Sequence, residues 1–360
     1  MTDKVLMRGT HVIAESAIRS GCRFYAGYPI TPQNELPEYM AEAMMAIDNA
    51  TFIQAESEIA AVNMVLGASM AGARAMTSSS SPGISLKQEG ISFLAAQELP
   101  AVIVNCMRGG PGLGNIAPSQ GDYFQATRGG GHGDYRSIVL APATGQELAD
   151  FTARAFDLAD RYRSPVVLLI DGMMGQMMEP VVPPEFMDEA DIPYRNWILD
   201  GARGRPSRII KSLILDPAKE EEHNWKLYRK YENITKELQI TEAYQIDDAR
   251  LVVMAYGTAA RIAKGAIKRV REIGLKVGLL RPLTLWPFPA RAVEDASRFV
   301  KEFLVFEMNT GQMVEDVRLA LKHRSEVHFY GRPGGVVSTP DEIAKVITSL
   351  YYRLHLEEEQ

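Results

Sequence analysis

Phe24-Tyr25-Ala26-Gly27-Tyr28-Pro29-Ile30-Thr31-Pro32 is a mostly apolar run that breaks at Thr-Pro, and Thr51-Phe52-Ile53-Gln54-Ala55-Glu56-Ser57-Glu58 is a shorter one that breaks at carboxylates. After each break the chain becomes compatible with a helix. A strand that turns into a helix twice in succession is the pattern of an α/β domain. It also places a hydroxyl and an acid at the carboxyl ends of strands, where such sheets bind ligands.

Outward from these two turns the alternation continues, from Thr10 to about Glu179. It predicts helices over 11–19, 32–47, 57–71, 84–97 and 145–162. Strands are predicted over 24–30, 51–54, 74–77, 101–107, 137–140 and 165–170. Strand-helix repetition of this kind predicts a mostly parallel sheet covered on both faces. The regularity stops at Pro180, Pro183 and Pro184, and the next stretch reads as a connector with one helix, about Pro217 to Leu238. From Leu251 a second, smaller α/β alternation begins and ends in a helix at 340–354. The expected organisation is residues 1–180, a connector over 181–248, and a second domain over 249–360.

The 360 residues are 46% hydrophobic and 23% charged, which is enough apolar material for a core. A net charge of −6 and no dense Lys/Arg patch argue against a nucleic-acid partner. No apolar run approaches the roughly 18 residues of a membrane span, and the charged N-terminal stretch is unlike a signal peptide. The expected location is the cytoplasm. The two cysteines, Cys22 and Cys106, sit beside apolar segments and read as buried thiols. They cannot ligate a four-Cys cluster within one chain, so any iron–sulfur carrier belongs to another subunit.

Four segments can carry chemistry. Thr31-Pro32 reads as an N-cap followed by proline at the first helical position, and such a terminus also favours an anion. Glu58, with Glu56 as its rival, opens a helix whose next residues, Ile59-Ala60-Ala61-Val62, are apolar, so the carboxyl is expected to be partly desolvated. Ser78 to Ser81 follow a strand and serve either a plain turn or a ligand. Arg108 to Asp134 is a Gly-rich loop far longer than common connections. Its aromatic residues argue against disorder. At its start, Arg108 offers a fork suited to a carboxylate, or to a salt bridge with a neighbouring acid. His132 reads as an ordinary loop histidine. Gly112, Gly114 and Ala117 fit G-x-G-x-x-A only loosely, with no helix opening there. There is no P-loop, no Gly-Asp-Gly and no metal-spaced His/Cys cluster, so no metal site is expected in this chain.

Tyr28-Pro29-Ile30-Thr31-Pro32, Glu56-Ser57-Glu58, Thr77 to Gly83, Arg108-Gly109-Gly110-Pro111 and Leu280-Arg281-Pro282-Leu283 together resemble the α subunit of 2-oxoacid:ferredoxin oxidoreductases. The long loop, with Ser119-Gln120-Gly121-Asp122 and Gly129-Gly130-Gly131-His132-Gly133-Asp134-Tyr135, is most similar to the VorB-type subunit of the 3-methyl-2-oxobutanoate enzymes. The resemblance implies a pyrimidine-binding-type doubly wound parallel sheet plus a smaller transketolase C-terminal-like domain. It implies thiamine diphosphate shared with a β subunit that holds the diphosphate and Mg²⁺. It also implies γ and ferredoxin-like subunits carrying the iron–sulfur cluster, ferredoxin as acceptor and coenzyme A as acyl acceptor. Glu58 would meet the aminopyrimidine ring, Tyr28, Pro29 and Ile30 would line the coenzyme, and Thr31 and Arg108 would hold the substrate carboxylate. 2-Oxoglutarate is the competing substrate, with Arg128 or Arg136 as candidates for its second carboxylate. A non-redox thiamine-diphosphate decarboxylase or transketolase-like subunit is the alternative activity.

Overall fold

The computed structural model describes residues 4–188, 191–192 and 195–355. Among these, seven strands form the larger sheet. Their order is Thr284–Trp286, Ile138–Leu140, Pro165–Asp171, Ala101–Met107, Arg74–Ser79, Cys22–Gly27 and Thr51–Gln54. The last six run parallel, and Thr284–Trp286 lies antiparallel on Ile138–Leu140. Ala101–Met107 and Pro165–Asp171 are buried along their whole length, as central strands covered on both faces must be.

The chain leaves Cys22–Gly27 toward Thr51–Gln54, then doubles back past it to Arg74–Ser79 and onward. Right-handed crossovers in opposite directions put their helices on opposite faces. Accordingly, helix Glu35–Ala43 packs with Gly9–Arg19, while Glu58–Met70 packs with Ser81–Ala96. The crevice between the ends of Cys22–Gly27 and Arg74–Ser79 is therefore a topological switch point.

Among the described residues the second sheet has the order Glu326–Gly331, Glu302–Glu307, Leu251–Met254, Val277–Pro282 and Thr241–Tyr244, parallel except for the last. Alternate residues of Leu251–Met254 enter two cores. Leu251 and Val253 pack among residues of helices Gly257–Glu272 and Pro340–His355, whereas Val252 and Met254 join the core of the first sheet.

The two sheets are laced together by the chain. Thr241–Tyr244, from the stretch read as a connector, is an edge strand of the second sheet. Just past Val277–Pro282, the chain returns to give Thr284–Trp286 to the first. The expected long helix is present as Pro217–Glu237. It lies against helix Ser81–Ala96 through His223 to the Ala96 carbonyl (2.8 Å) and against the sheet's edge strand through an edge-on contact of Tyr231 with Trp286 (ring centroids 5.8 Å apart).

Two readings at the N-terminal turn are corrected. The strand ends at Gly27 rather than Ile30, and the helix opens at Glu35 rather than Pro32. Thr31 is not an N-cap: Thr31-Pro32 is a cis peptide inside a turn, and Asn34, which precedes the helix, makes no side-chain cap. A further pair of short strands, Val5–Arg8 with Met178–Val181, was not expected; Pro180 sits in it on an edge, where a missing N–H is tolerated.

Candidate active site

Three neighbouring strands end at the switch point, at Gly27, Ser79 and Met107. Gly27 carries no side chain for a reason of space: a Cβ there would come within 2.5 Å of the Tyr25 hydroxyl. That hydroxyl donates to Ser78 Oγ (2.6 Å), which in turn donates to Gln33 Oε1 (2.5 Å). The buried chain fixes the Tyr28–Gln33 turn onto the sheet. Tyr28, Pro29 and Thr31 are exposed along it, with Ile30 half-buried.

Glu58 opens its helix behind a true cap, Ser57, whose hydroxyl accepts from the Ala60 amide (3.1 Å). Its side chain is inside, with 7% of the residue exposed. Gly83, in the first turn of helix Ser81–Ala96, lies under it: a Cβ there would clash with Ser79 Oγ and stand 2.7 Å from Glu58 Oε1. The Glu58 carboxylate takes no hydrogen bond from the described residues, and the buried hydroxyls of Ser79 and Ser80 have none either. Buried polar groups are almost always paired, so this cradle of one acid and two hydroxyls is shaped for a polar group from outside the chain. Its donor and acceptor set suits the edge of an aminopyrimidine.

Below Glu58 lies a residue that sequence reasoning missed. Lys87 is fully buried, and its Nζ donates to Thr77 Oγ1 (2.7 Å). Burial pushes the ammonium down to about 7, against the opposing pull of the Glu58 carboxylate. Its signal was periodicity: Ile84, Lys87, Gln88 and Ile91 fall on one buried face of the helix, so a lysine stands at a core position.

Arg108 makes no salt bridge with a neighbouring acid among the described residues. Its guanidinium donates to the carbonyls of Thr31 (2.9 Å) and Leu113 (3.1 Å), while its buried Nε has no partner. Thr31 and Arg108 are thus brought together. Both adjoin the Glu58 region through the start of helix Ser81–Ala96, where the Arg108 amide donates to Ser81 Oγ (3.0 Å). A cleft of about 700 Å³ opens beside Thr31 and Pro32, walled by Ile116, Pro118 and Met173. A wider groove of about 1130 Å³ runs along Trp225, Tyr228 and Trp286 and shares no lining residue with the strand ends.

The long Gly-rich loop has a structural task. Gln120 is fully buried and bonds both polar groups of Met308 (N 2.9 Å, O 3.0 Å) and the Tyr256 carbonyl (2.8 Å). Tyr123, on an unexpected short helix Tyr123–Arg128, donates to Asp316 Oδ2 (2.6 Å). Asp122 accepts from Ser81 Oγ (2.5 Å) and Asn105 Nδ2 (2.9 Å), and burial raises its pKa. The loop therefore fastens the second sheet to the mouth of the crevice. Arg128 is held by Asp316 (3.1 Å) and lies over Phe124, while His132 is exposed.

Residues 15–243 match the family described as "Pyruvate flavodoxin/ferredoxin oxidoreductase, thiamine diP-bdg", and residues 249–343 match "Pyruvate:ferredoxin oxidoreductase core domain II". The chain is 47% identical over 342 residues to ketoisovalerate oxidoreductase subunit VorB of Methanothermobacter thermautotrophicus, covering 95% of this chain and 96% of that protein. It is 37% identical to the 2-oxoglutarate synthase subunit KorA of the same organism, covering 97% and 100%. Among solved structures it resembles a 2-oxoglutarate:ferredoxin oxidoreductase from Magnetococcus marinus with TM-score 0.85 and 27% identity, covering 97% of this chain but 65% of that one. A split-gene transketolase, 12% identical with TM-score 0.59, shares the fold. The chain thus belongs to the pyruvate flavodoxin/ferredoxin oxidoreductase family, as an α subunit of the 2-oxoacid:ferredoxin oxidoreductase type with a thiamine-diphosphate-binding domain.

Proposed function

We propose that this chain forms the aminopyrimidine side of a thiamine-diphosphate site completed by a β subunit. The assembled enzyme would convert 3-methyl-2-oxobutanoate and coenzyme A to acyl-CoA and CO2, with ferredoxin as acceptor. The observation that carries this reading is the buried, unpartnered Glu58 carboxylate at the switch point. A mostly buried acid with no partner in its own chain is open to one from outside it. A pyrimidine ring nitrogen is such a partner, and Glu58 would hold a proton at that atom. When bound, thiamine diphosphate supplies the carbon nucleophile and electron sink for decarboxylation.

The chain's other residues orient. Ser79 and Ser80 offer hydroxyls to the ring's polar edge. Tyr28, Pro29 and Ile30 offer an apolar wall. Thr31 and Arg108 flank the mouth, where the Arg108 guanidinium would supply the charge that holds the substrate carboxylate. Holding the carboxylate there orients the reacting carbon, which is what helps the step. The diphosphate and Mg²⁺ would lie on the β subunit, and the iron–sulfur cluster on γ and ferredoxin-like subunits. Both thiols of this chain support that division: burial pushes Cys22 up to about 12 and Cys106 well above its ordinary range, so neither is poised as a thiolate ligand.

For the substrate, similarity to a ketoisovalerate subunit favours the branched-chain acid. Of the two cations open to a second carboxylate, Arg128 is paired with Asp316, and Arg136 lines the wider groove, which shares no lining residue with the strand ends. The test is the complex purified with its partner subunits and assayed with 3-methyl-2-oxobutanoate, 2-oxoglutarate and pyruvate. The expected order of kcat/KM puts 3-methyl-2-oxobutanoate first. Preference for 2-oxoglutarate overturns the substrate, and turnover without bound iron or acyl-CoA formation overturns the redox activity.

A further inference from the structure

Lys87 is a buried charge that the reading above leaves without a task. It is moored by one bond, to Thr77 Oγ1, and Thr77 donates in turn to the Ala26 carbonyl (2.7 Å). Thr77 and Ala26 lie on the two strands that border the switch point. A single bond leaves two of the ammonium's three N–H groups unfilled among the described residues, a costly state for a cation out of water.

The surrounding elements show which charge answers it. Helix Glu58–Met70, packed on Lys87's own helix, presents Glu58, whose carboxylate lies over Gly83, one turn before Lys87, and raises the lysine's hold on its proton. Strand Ala101–Met107 has no ionisable carboxylate or cation. Strand Arg74–Ser79 has Arg74 at its far end, paired with Asp157 (2.8 Å) and Asp160 (2.9 Å). Asp171 of strand Pro165–Asp171 is engaged by Thr258 (2.9 Å) and the Met173 amide (3.0 Å). Asp122, at the start of the helix, is engaged by Ser81 and Asn105. Glu58 and Lys87 are thus a buried acid–base couple held apart by helix packing, with the acid's face turned toward the crevice.

We propose that Lys87 is the positioning residue of Glu58: its amine, fixed by Thr77, is the buried counter-charge that holds the Glu58 carboxylate toward the coenzyme's pyrimidine ring. This rests on the proposed role of Glu58. Without Lys87 the carboxylate would face apolar groups and a few neutral hydroxyls, with no counter-charge to fix its place. The depressed affinity of Lys87 for its own proton, about 7, places the couple's change of charge near neutrality.

Two measurements test this. The first needs no coenzyme. In the full chain, Lys87 gives up its proton near 7 when folded but holds it to its ordinary 10.5 when unfolded, so the unfolded state binds more protons and stability rises across that window. Lys87→Met should remove the part of the rise that begins near 7 and leave the part that begins near 8, which belongs to the buried Lys230. Glu58→Gln should keep the rise and start it at lower pH, because Glu58 is what retains the lysine's proton. An onset that does not move in Glu58→Gln overturns the coupling, and this titration decides even if Lys87→Met does not fold. The second is the pH profile of kcat/KM in the assembled enzyme. Lys87→Met should remove the inflection that the lysine's own titration, near 7, gives the wild-type profile. A profile lowered equally at every pH makes Lys87 merely structural. Should Glu58→Gln keep full turnover, the role of Glu58 fails instead; should it lose turnover while Lys87→Met keeps that inflection, the present inference fails alone.

Discussion

Gly83 is the tightest point of the site, because the Ser79 hydroxyl and the Glu58 carboxylate both lie where a β-carbon would go. Gly83→Ala should destabilise the chain by about 1–3 kcal/mol, an overpacking cost, and should weaken coenzyme binding by displacing Glu58. Thermal melts with and without thiamine diphosphate check this; an unchanged coenzyme affinity would separate Gly83 from the site. Arg108 makes a second prediction at this scale. Arg108→Lys keeps the charge but cannot bridge the carbonyls of Thr31 and Leu113 together. A rise in KM for the 2-oxoacid and a stability loss of about 2 kcal/mol are expected. The thiols make a third. At pH 8 neither Cys22 nor Cys106 should react with a thiol reagent until the chain unfolds, and immediate modification of the folded protein would contradict their burial.

At the scale of elements, the loop after Met107 is a fastener. Gln120→Ala would leave the buried Met308 amide without a partner, at about 1–3 kcal/mol, and would take one of two donors from the Tyr256 carbonyl, which keeps the Ala260 amide. Amide exchange should quicken in 115–125 and 306–312 together; quickening in the loop alone would mean that it does not hold the second sheet. The elements also show what a sequence can and cannot display. Ala101–Met107, Pro165–Asp171 and Gly145–Tyr162 were legible because period and burial agree within each segment. Val5–Arg8, Met178–Val181 and Thr284–Trp286 were not, because strands of three or four residues gain their identity from partners far along the chain. The turn at Thr31 was misread because Thr-Pro serves a helix start and a cis turn equally well. Glu58 was legible from its place after a strand. Lys87 was hidden because a lysine on a helix ordinarily points to water.

For the whole molecule, the two sheets are interlaced rather than strung in series. The first sheet takes an edge strand from residues 284–286, and its loop is bonded into 306–316. Within this single fold the crevice at Gly27, Ser79 and Met107 gathers an acid, two hydroxyls and an arginine nitrogen that find no partner in the described chain. The central claim is that a coenzyme bound against a partner subunit completes them. The most direct measurement is turnover after this chain, carrying Glu58→Gln, is assembled with wild-type partner subunits. The account predicts normal assembly and a loss of roughly 100-fold or more in kcat, the usual scale for removing a proton-transfer group. Turnover equal to that of the unaltered enzyme would contradict it.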